Sequence, residues 1–398
     1  MPQKLKHVDL FKNVRGQYEM LENLTDEFAG ALKRQKIESK TYDTEDKTLA
    51  EISTFFAKNP PDCTIGFNFF MAGKPIHSDV PHIAFMVDSA TYYPELMQAP
   101  SVIAAMSDQD SVDFLKMFGK KQTLFFPLAL DLEMVSEKKN NEIMSAKRDL
   151  DVVFAGSFVN SDSVFSRWQD YFSKELVKLL DEIAEKALQS GTESHILAAF
   201  KAFQTKPQFL QELKEKQFGF LELVNSIEQV IRGRDKINLF NALADQQIHM
   251  FVSNEDVALW QKALKKNANL KFHPQVSFKE LFSIFKRAKV VINSMPQVKR
   301  GFHEQQLLAL SQGASSLTNE NVLLRATFSP GFEILYFLAP NYAKVSSSIQ
   351  GALSNEAKRL DDVMKAREVI RNFHTWDARV KMLEETLPEL LQAMKTPK

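Results

Sequence analysis

Asn293, Ser294, Lys299, Arg300, Gly301, His303 and Glu304 crowd into one short stretch of the chain, residues 290–318, which reads VVINSMPQVKRGFHEQQLLALSQGASSLT. The spacing predicts a buried strand, a polar loop, a helix that Gly301 opens and Gly313 closes, and a second buried strand. In open α/β sheets ligands collect beyond the carboxyl ends of the strands, where helix N-termini offer unpaired N–H groups and a positive dipole to an anion. Lys299 and Arg300, just before the predicted helix start, add mobile positive charge there. The chemistry suits a nucleoside diphosphate. Glu304 is placed to accept ribose hydroxyls, although a carboxylate in a first helical turn also simply suits the dipole. His303 reads equally as a ligand contact or as a partly buried histidine with its own partners.

Other residues fit the same chemistry more loosely. Gly156 and Ser157 follow a predicted strand at 150–155, where glycine serves either a tight turn or the close approach of backbone to a ligand. Asp88, in FMVDSATYY, ends a predicted strand and suits contact with an acceptor or a general base, or ordinary turn chemistry. Asp108-Gln-Asp110 and Asp149-Leu-Asp151 both spell an acidic pair, but the first reads as a helix start and the second abuts a buried strand, so no metal site is expected at either. No histidine pair has metal-ligand spacing, and neither a Walker loop nor a Gly-x-Gly-x-x-Gly run occurs, which argues against an NTPase and a dinucleotide dehydrogenase.

The elements that must position these groups alternate. Strands are expected at 5–11, 37–42, 63–70, 81–87, 101–106 and within 122–130, with helices at 17–35, 49–58 and 108–118, the pattern of a parallel sheet with crossovers. Residues 133–149 are polar and aperiodic and read as a linker. Residues 165–244 carry helical spacing throughout. Alternation then resumes with strands at 248–252, 270–272, 290–293 and 314–318 and helices at 256–266, 278–287 and 302–312, before a helical tail with a break near His374. The expected division is an N-terminal domain over 1–135, a linker at 136–148, a C-terminal domain over 149–373 with a helical insertion at 160–245, and a last helix over 374–398.

The chain's 398 residues suit about two to three domains. Lys plus Arg and Asp plus Glu both number 50, so no net field draws in nucleic acid. Cys63 is the single cysteine, which excludes an intrachain disulfide and fits a reducing compartment. No apolar run approaches the roughly 18 to 20 residues of a membrane span, and the expected location is cytoplasmic.

On these residues the chain resembles glycosyltransferases of the two-domain B-type fold, most closely the spore-maturation, CgeB-like branch. That branch has a strand ending in Asn-Ser followed by a Gly-x-His-Glu helix, matched by Asn293, Ser294, Gly301, His303 and Glu304. Residues 149–157, 271–281, 329–336 and 374–379 (DLDVVFAGS, KFHPQVSFKEL, SPGFEILY and HTWDAR) agree in order. The resemblance covers about residues 145–385; the N-terminal third agrees in layout only. It departs from retaining relatives in one respect: Arg300 and Leu308 stand where two glutamates are separated by seven residues, which leaves Glu304, one turn nearer the helix start, as the ribose contact.

The resemblance implies two Rossmann-like domains facing a cleft, the first binding acceptor and the second the nucleotide sugar. It implies transfer of a hexosyl or acetylhexosaminyl group from a nucleotide-diphosphate donor, UDP favoured, to a protein or cell-surface glycan, with no cofactor and no metal required. Arg300, Lys299, His303 and Asp88 would carry the chemistry. Gly156, Ser157, Arg234, His273, Pro274, Val276, Asn293, Ser294, Gly301, Phe302 and Glu304 would bind the donor, with Arg232 a further basic candidate. A nucleotide-sugar epimerase of the same fold, and a degenerate member that binds nucleotide or protein, are the alternatives.

Overall fold

The structure, a computed structural model, describes residues 4–12, 19–43, 56, 58–70, 80–265, 267–328 and 334–395. They divide into two compact units, one of Met1–Ser136 with Ile370–Lys398 and one of Glu137–Val369.

The first unit contains β1 (Val8–Lys12), α1 (Met20–Arg34), β2 (Thr41–Asp43), β3 (Cys63–Phe67), β4 (His82–Met86), β5 (Val102–Met106), α2 (Gln109–Met117) and β6 (Thr123–Phe125). Its strands form one sheet in the order β2-β1-β3-β4-β5-β6, every pair parallel. Parallel strands are covered on both faces and therefore read as unbroken apolar runs, as VIAAM in β5 does. The strand expected at 37–42 is narrower. Glu38 bridges His7, and the ladder proper starts at Thr41. The helix expected at 49–58 lies almost wholly outside the described residues.

The second unit opens with α3 (Asn140–Met144) and β7 (Leu150–Ala155). Five helices follow: α4 (Ser161–Tyr171), α5 (Lys174–Gln189), α6 (His195–Thr205), α7 (Pro207–Glu215) and α8 (Phe220–Ala242). Alternation returns with β8 (Ile248–Val252), α9 (Asn254–Ala263), β9 (Leu270–Pro274), α10 (Phe278–Arg287), β10 (Ala288–Asn293), α11 (Glu304–Ser311), β11 (Ser315–Asn319), α12 (Val322–Thr327) and β12 (Ile334–Phe337). The sheet runs β12-β11-β10-β7-β8-β9, again all parallel. From β7 the chain winds outward through β8 and β9, and from β10 it winds the other way through β11 and β12. The order therefore reverses between β7 and β10, the place where open α/β sheets receive ligands.

The polar stretch read as a linker is ordered. It folds into 3-10 turns at Leu132–Val135 and Glu137–Lys139 and into α3, because Val135 and Ile143 are buried. Buried Arg148 donates to the carbonyls of Ile143, Lys286, Ala288 and Gln312. Together with Arg359, which donates to Gly313 O at 2.8 Å, and Arg367, which donates to Ser311 O, it closes the C-terminal end of α11. Gly313 stands there at φ +86°, and a Cβ would lie 2.1 Å from Arg148 Nη2. Glycine is required on both counts.

After α13 (Val345–Ser354) and α14 (Glu356–Phe373), the last helix α15 (Trp376–Lys395) joins the core of the first unit. The Trp376 ring lies 5.8 to 5.9 Å from those of Phe28, Phe67 and Phe85. Arg34 forks Asp377 at 2.6 and 3.0 Å. The HTWDAR segment is thus an anchor made of one indole and one bidentate ion pair.

Candidate functional site

The reversal point of the second sheet is organised by α8. Asp235 is fully buried, and it accepts hydrogen bonds from Ser294 Oγ (2.7 Å), Asn319 Nδ2 (3.0 Å) and the Tyr342 hydroxyl (2.7 Å). Burial raises its carboxyl pKa, and the three donors oppose that rise. Lys236, the next residue, donates to Ser157 O at 2.9 Å; burial, then the Arg232 charge, pulls its ammonium down to about 7. One turn of helix therefore grips the carboxyl ends of β7, β10 and β11 together. Gly233 makes this approach possible, since a Cβ there would meet Ser161 Cβ and Val159 O at 2.6 Å.

In the sequence the arginines of the same IRGRDK run stand out, and Asp235 and Lys236 do not. Arg234 is bonded to Asp181 (2.6 Å) and Glu185 (2.8 Å) on α5 and lies over the Phe165 ring, while Arg232 pairs with Glu228 at 3.4 Å. Arg234 is accordingly corrected from a nucleotide contact to a packing and ion-pair residue between α8 and α5. Its neighbours on the helix face the strand ends instead.

The helix expected to open at Gly301 begins three residues later, at Glu304, with His303 as its N-cap. The reason is local. Asn321 Nδ2 ties down Val298 O (2.9 Å) and Gly301 O (3.0 Å), and Asn319 Oδ1 accepts Met295 N, so the loop is held in a non-helical path. The Gln306 side chain accepts His303 N at 2.9 Å and donates to Thr318 Oγ1 at 2.7 Å, completing a capping box. His303 Nδ1 accepts from Gln305 N (3.4 Å) and faces Asn293 Nδ2 (3.2 Å), two donors that leave the ring proton on Nε2. Nε2 lies 3.4 Å from Glu304 Oε1. Asn293, His303 and Glu304 therefore come together as expected, at the end of β10 and the start of α11. Asn293 Oδ1 is buried without a hydrogen-bond partner among the described residues. Asn and His with a first-turn carboxylate can offer both acceptors and donors to a sugar hydroxyl or a diphosphate.

The remaining expected residues are dispersed. Lys299 is corrected: its ammonium is buried and bonded to Ala187 O and Ser190 O at 2.7 Å each, so it is not a mobile charge. Arg300 is half-buried beside it. Phe302 is buried, its ring 6.4 Å from Phe328. Gly156 N donates to Phe251 O, and a Cβ on Gly156 would press on the Phe154 ring at 2.9 Å, so this glycine serves the turn itself. His273 stacks between Phe251 (4.7 Å) and His249 (5.1 Å), with its Nε2 2.9 Å from His249 Nδ1, and burial lowers the pKa of both imidazoles. Pro274 ends β9 exposed, and Val276 follows half-buried.

Asp88 belongs to the first unit, past the end of β4, and accepts from Asn68 Nδ2 (2.9 Å) and the Tyr93 hydroxyl (3.0 Å). Asp108 caps α2 by accepting Ser111 N, and Asp149 and Asp151 pair with Arg287 and Lys289 at 2.7 Å each. Both acidic pairs thus have structural partners. Among the described residues no group of three or more His, Cys, Asp or Glu side chains is placed to hold a metal ion, and no helix is long and apolar enough to cross a membrane.

No curated protein matches the sequence. Residues 234–385 match a family model described as glycosyl transferase-like. Among solved structures, sucrose-phosphate synthase from Thermosynechococcus elongatus superposes with a TM-score of 0.54 at 11% identity, covering 98% of this chain and 100% of the other. AviGT4, a glycosyltransferase involved in avilamycin A biosynthesis, gives 0.54 at 10%, covering 98% and 99%. Anabaena HepE in complex with UDP-glucose gives 0.51 at 10%, covering 97% and 100%. At such identities the likeness is one of fold: the chain has the two-domain α/β architecture of B-type glycosyltransferases, and its residues 234–385, which contain the Asn293–His303–Glu304 cluster, match the glycosyl transferase-like family.

Proposed function

We propose that the chain is a glycosyltransferase that moves a sugar from a nucleoside-diphosphate donor, UDP favoured, to an acceptor hydroxyl on a protein or cell-surface glycan. The observation that carries this is the meeting of Asn293, His303 and Glu304 at the sheet's reversal point, inside the segment that matches the glycosyl transferase-like model. UDP is favoured because one protein of the same fold has a structure with UDP-glucose.

In this reading Glu304 accepts the ribose hydroxyls, and His303 Nε2–H and Asn293 present polar atoms to the donor. Arg300 and the first turn of α11 stabilise the departing diphosphate. The bond from the anomeric carbon to the diphosphate oxygen breaks as the acceptor oxygen bonds to that carbon, and the acceptor's proton passes to a base. Charge grows on the leaving group in the transition state, so preorganised cations and dipoles there lower the barrier without a metal. Likeness to the CgeB-like branch, transfer of a hexosyl or acetylhexosaminyl unit, and a cytoplasmic location with Cys63 reduced are parts of the same proposal.

A thermal-shift screen against UDP-, GDP- and dTDP-sugars tests it, since a ligand of the native state raises the apparent stability. A rise with a UDP-sugar, followed by UDP release on adding acceptor, is the expected result. Donor conversion without acceptor would indicate an epimerase, and nucleotide binding with no turnover under any acceptor condition a binding protein.

A further inference from the structure

The helical lobe α4–α8 contains none of the three clustered residues, yet Lys299, in the loop between Asn293 and His303, reaches into it. We propose that Lys299 is a positioning residue: bonded to the last carbonyls of α5, it ties the loop carrying Arg300 and Gly301 to the helical lobe and so sets where that loop meets the donor. The proposal rests on the glycosyltransferase reading of the same site.

The last carbonyls of an α-helix have no partner within the helix and sit at the negative end of its dipole. The ammonium of Lys299, with the residue 1% exposed, supplies that partner from more than a hundred residues away, donating to Ala187 O and Ser190 O at 2.7 Å each. An ammonium so committed cannot follow a leaving phosphate without uncapping α5. The opposite side of the loop is fastened by the turn after β11, where Lys299 O accepts Val322 N (3.0 Å) and Asn321 bridges Val298 O and Gly301 O. The segment is therefore clamped from two sides, with Arg300 between the clamps. Behind Lys299 the lobe is polar as well as buried. His195 Nε2 lies 3.8 Å from Glu228 Oε2, and burial together with the Lys299 charge holds the imidazole neutral, its pKa down to about 3. A displacement of about 1 Å in a group that must meet a reacting phosphate is enough to cost on the order of a hundredfold in rate.

The test is a double-variant cycle. Lys299→Met, Arg300→Ala and the double variant are compared with the unsubstituted chain for UDP affinity by calorimetry and for kcat and KM of donor turnover, alongside urea unfolding. A positioning role predicts that Lys299→Met alone lowers kcat/KM by about tenfold or more while unfolding stays cooperative, and that the same change made on top of Arg300→Ala costs less than about twofold. Lys299→Arg, which keeps the charge and the donors, should restore most of the loss. Equal losses in both backgrounds would overturn the proposal, because Lys299 would then act independently of Arg300.

Should the methionine variant not fold, lysine acylation of the unsubstituted chain decides. Lys299 unmodified with and without UDP supports the anchor, and modification that UDP blocks would make it a direct ligand and overturn it. If the unsubstituted chain binds no UDP, the functional reading has failed by itself. Amide exchange over residues 295–303 then tests the anchor, with at least about tenfold faster exchange in Lys299→Met (in Lys299→Gln if that variant does not fold) expected and unchanged exchange contradicting it.

Discussion

The hydroxyl of Ser294 donates to Asp235 Oδ2 at 2.7 Å, joining the end of β10 to the middle of α8 across 59 positions of sequence. This contact fixes the backbone from which Asn293 projects on one side and the donor loop departs on the other. It also places a buried ionisable group at the site, where three hydrogen bonds and the Lys299 charge offset the lost water.

Removing that group should therefore cost far more than one contact. Asp235→Ala leaves Ser294, Asn319 and Tyr342 as buried donors without an acceptor, and a loss of about 3 to 5 kcal/mol in urea-induced unfolding is expected. A loss below about 1 kcal/mol would mean that the three donors find other partners.

Lys236 gives the site a proton linkage. Burial pulls its ammonium down to about 7, and a diphosphate nearby would favour the charged form. Binding then takes up a proton, and UDP affinity should fall as pH rises from 6 to 8.5. Lys236→Arg, charged throughout, should flatten this profile, and calorimetry in two buffers of different ionisation enthalpy reads the proton directly. The same slope in both proteins would remove Lys236 from the ligand's surroundings.

Stability should carry a separate pH signature from the first unit. Glu27 accepts the Trp376 indole N–H at 2.9 Å, and burial pushes its carboxyl from the ordinary 4.5 up to about 8. The folded chain holds that proton where the unfolded chain has released it, so stability falls with rising pH up to the folded value. His82, His195 and His374, lowered to about 4, 3 and 3 by burial, act in the opposite sense, costing stability as pH drops below about 6.5. Between pH 6.5 and 7 only the Glu27 slope remains from this set, at most about 1.4 kcal/mol per unit, and above 7 Lys236, lowered to about 7, opposes it. Glu27→Gln should remove it in urea titrations across that window.

Donor turnover should persist in excess chelator, because Arg300 and the first turn of α11 are assigned the role of a cation at the diphosphate. Activity abolished by chelator and restored by magnesium or manganese would contradict that assignment.

Most strands were legible because central parallel strands are near-continuous apolar runs, as VIAAM in β5 is, whereas β12 (Ile334–Phe337) was not expected; the Asn293–His303–Glu304 cluster was legible because its members lie at one strand end and the next helix start. What escaped shares one property, a partner distant in sequence. Asp235 and Lys236 look like ordinary members of a charged helical run until the ends of β7, β10 and β11 close over them, and Lys299 reads as a solvated charge until α5 presents its carbonyls. The late start of α11 shares that cause, through Asn319 and Asn321, and adds a second. His303 is an uncommon N-cap residue, and its capping box with Gln306 lacks the usual serine or threonine signal.

The most direct measurement is the calorimetric affinity of the chain for UDP with and without the Glu304 carboxylate. If Glu304 holds the ribose hydroxyls, the unsubstituted chain binds UDP and Glu304→Ala loses about 2 to 4 kcal/mol of that affinity while unfolding as cooperatively as before. Equal affinity in the two proteins would contradict the placement of the donor at the start of α11.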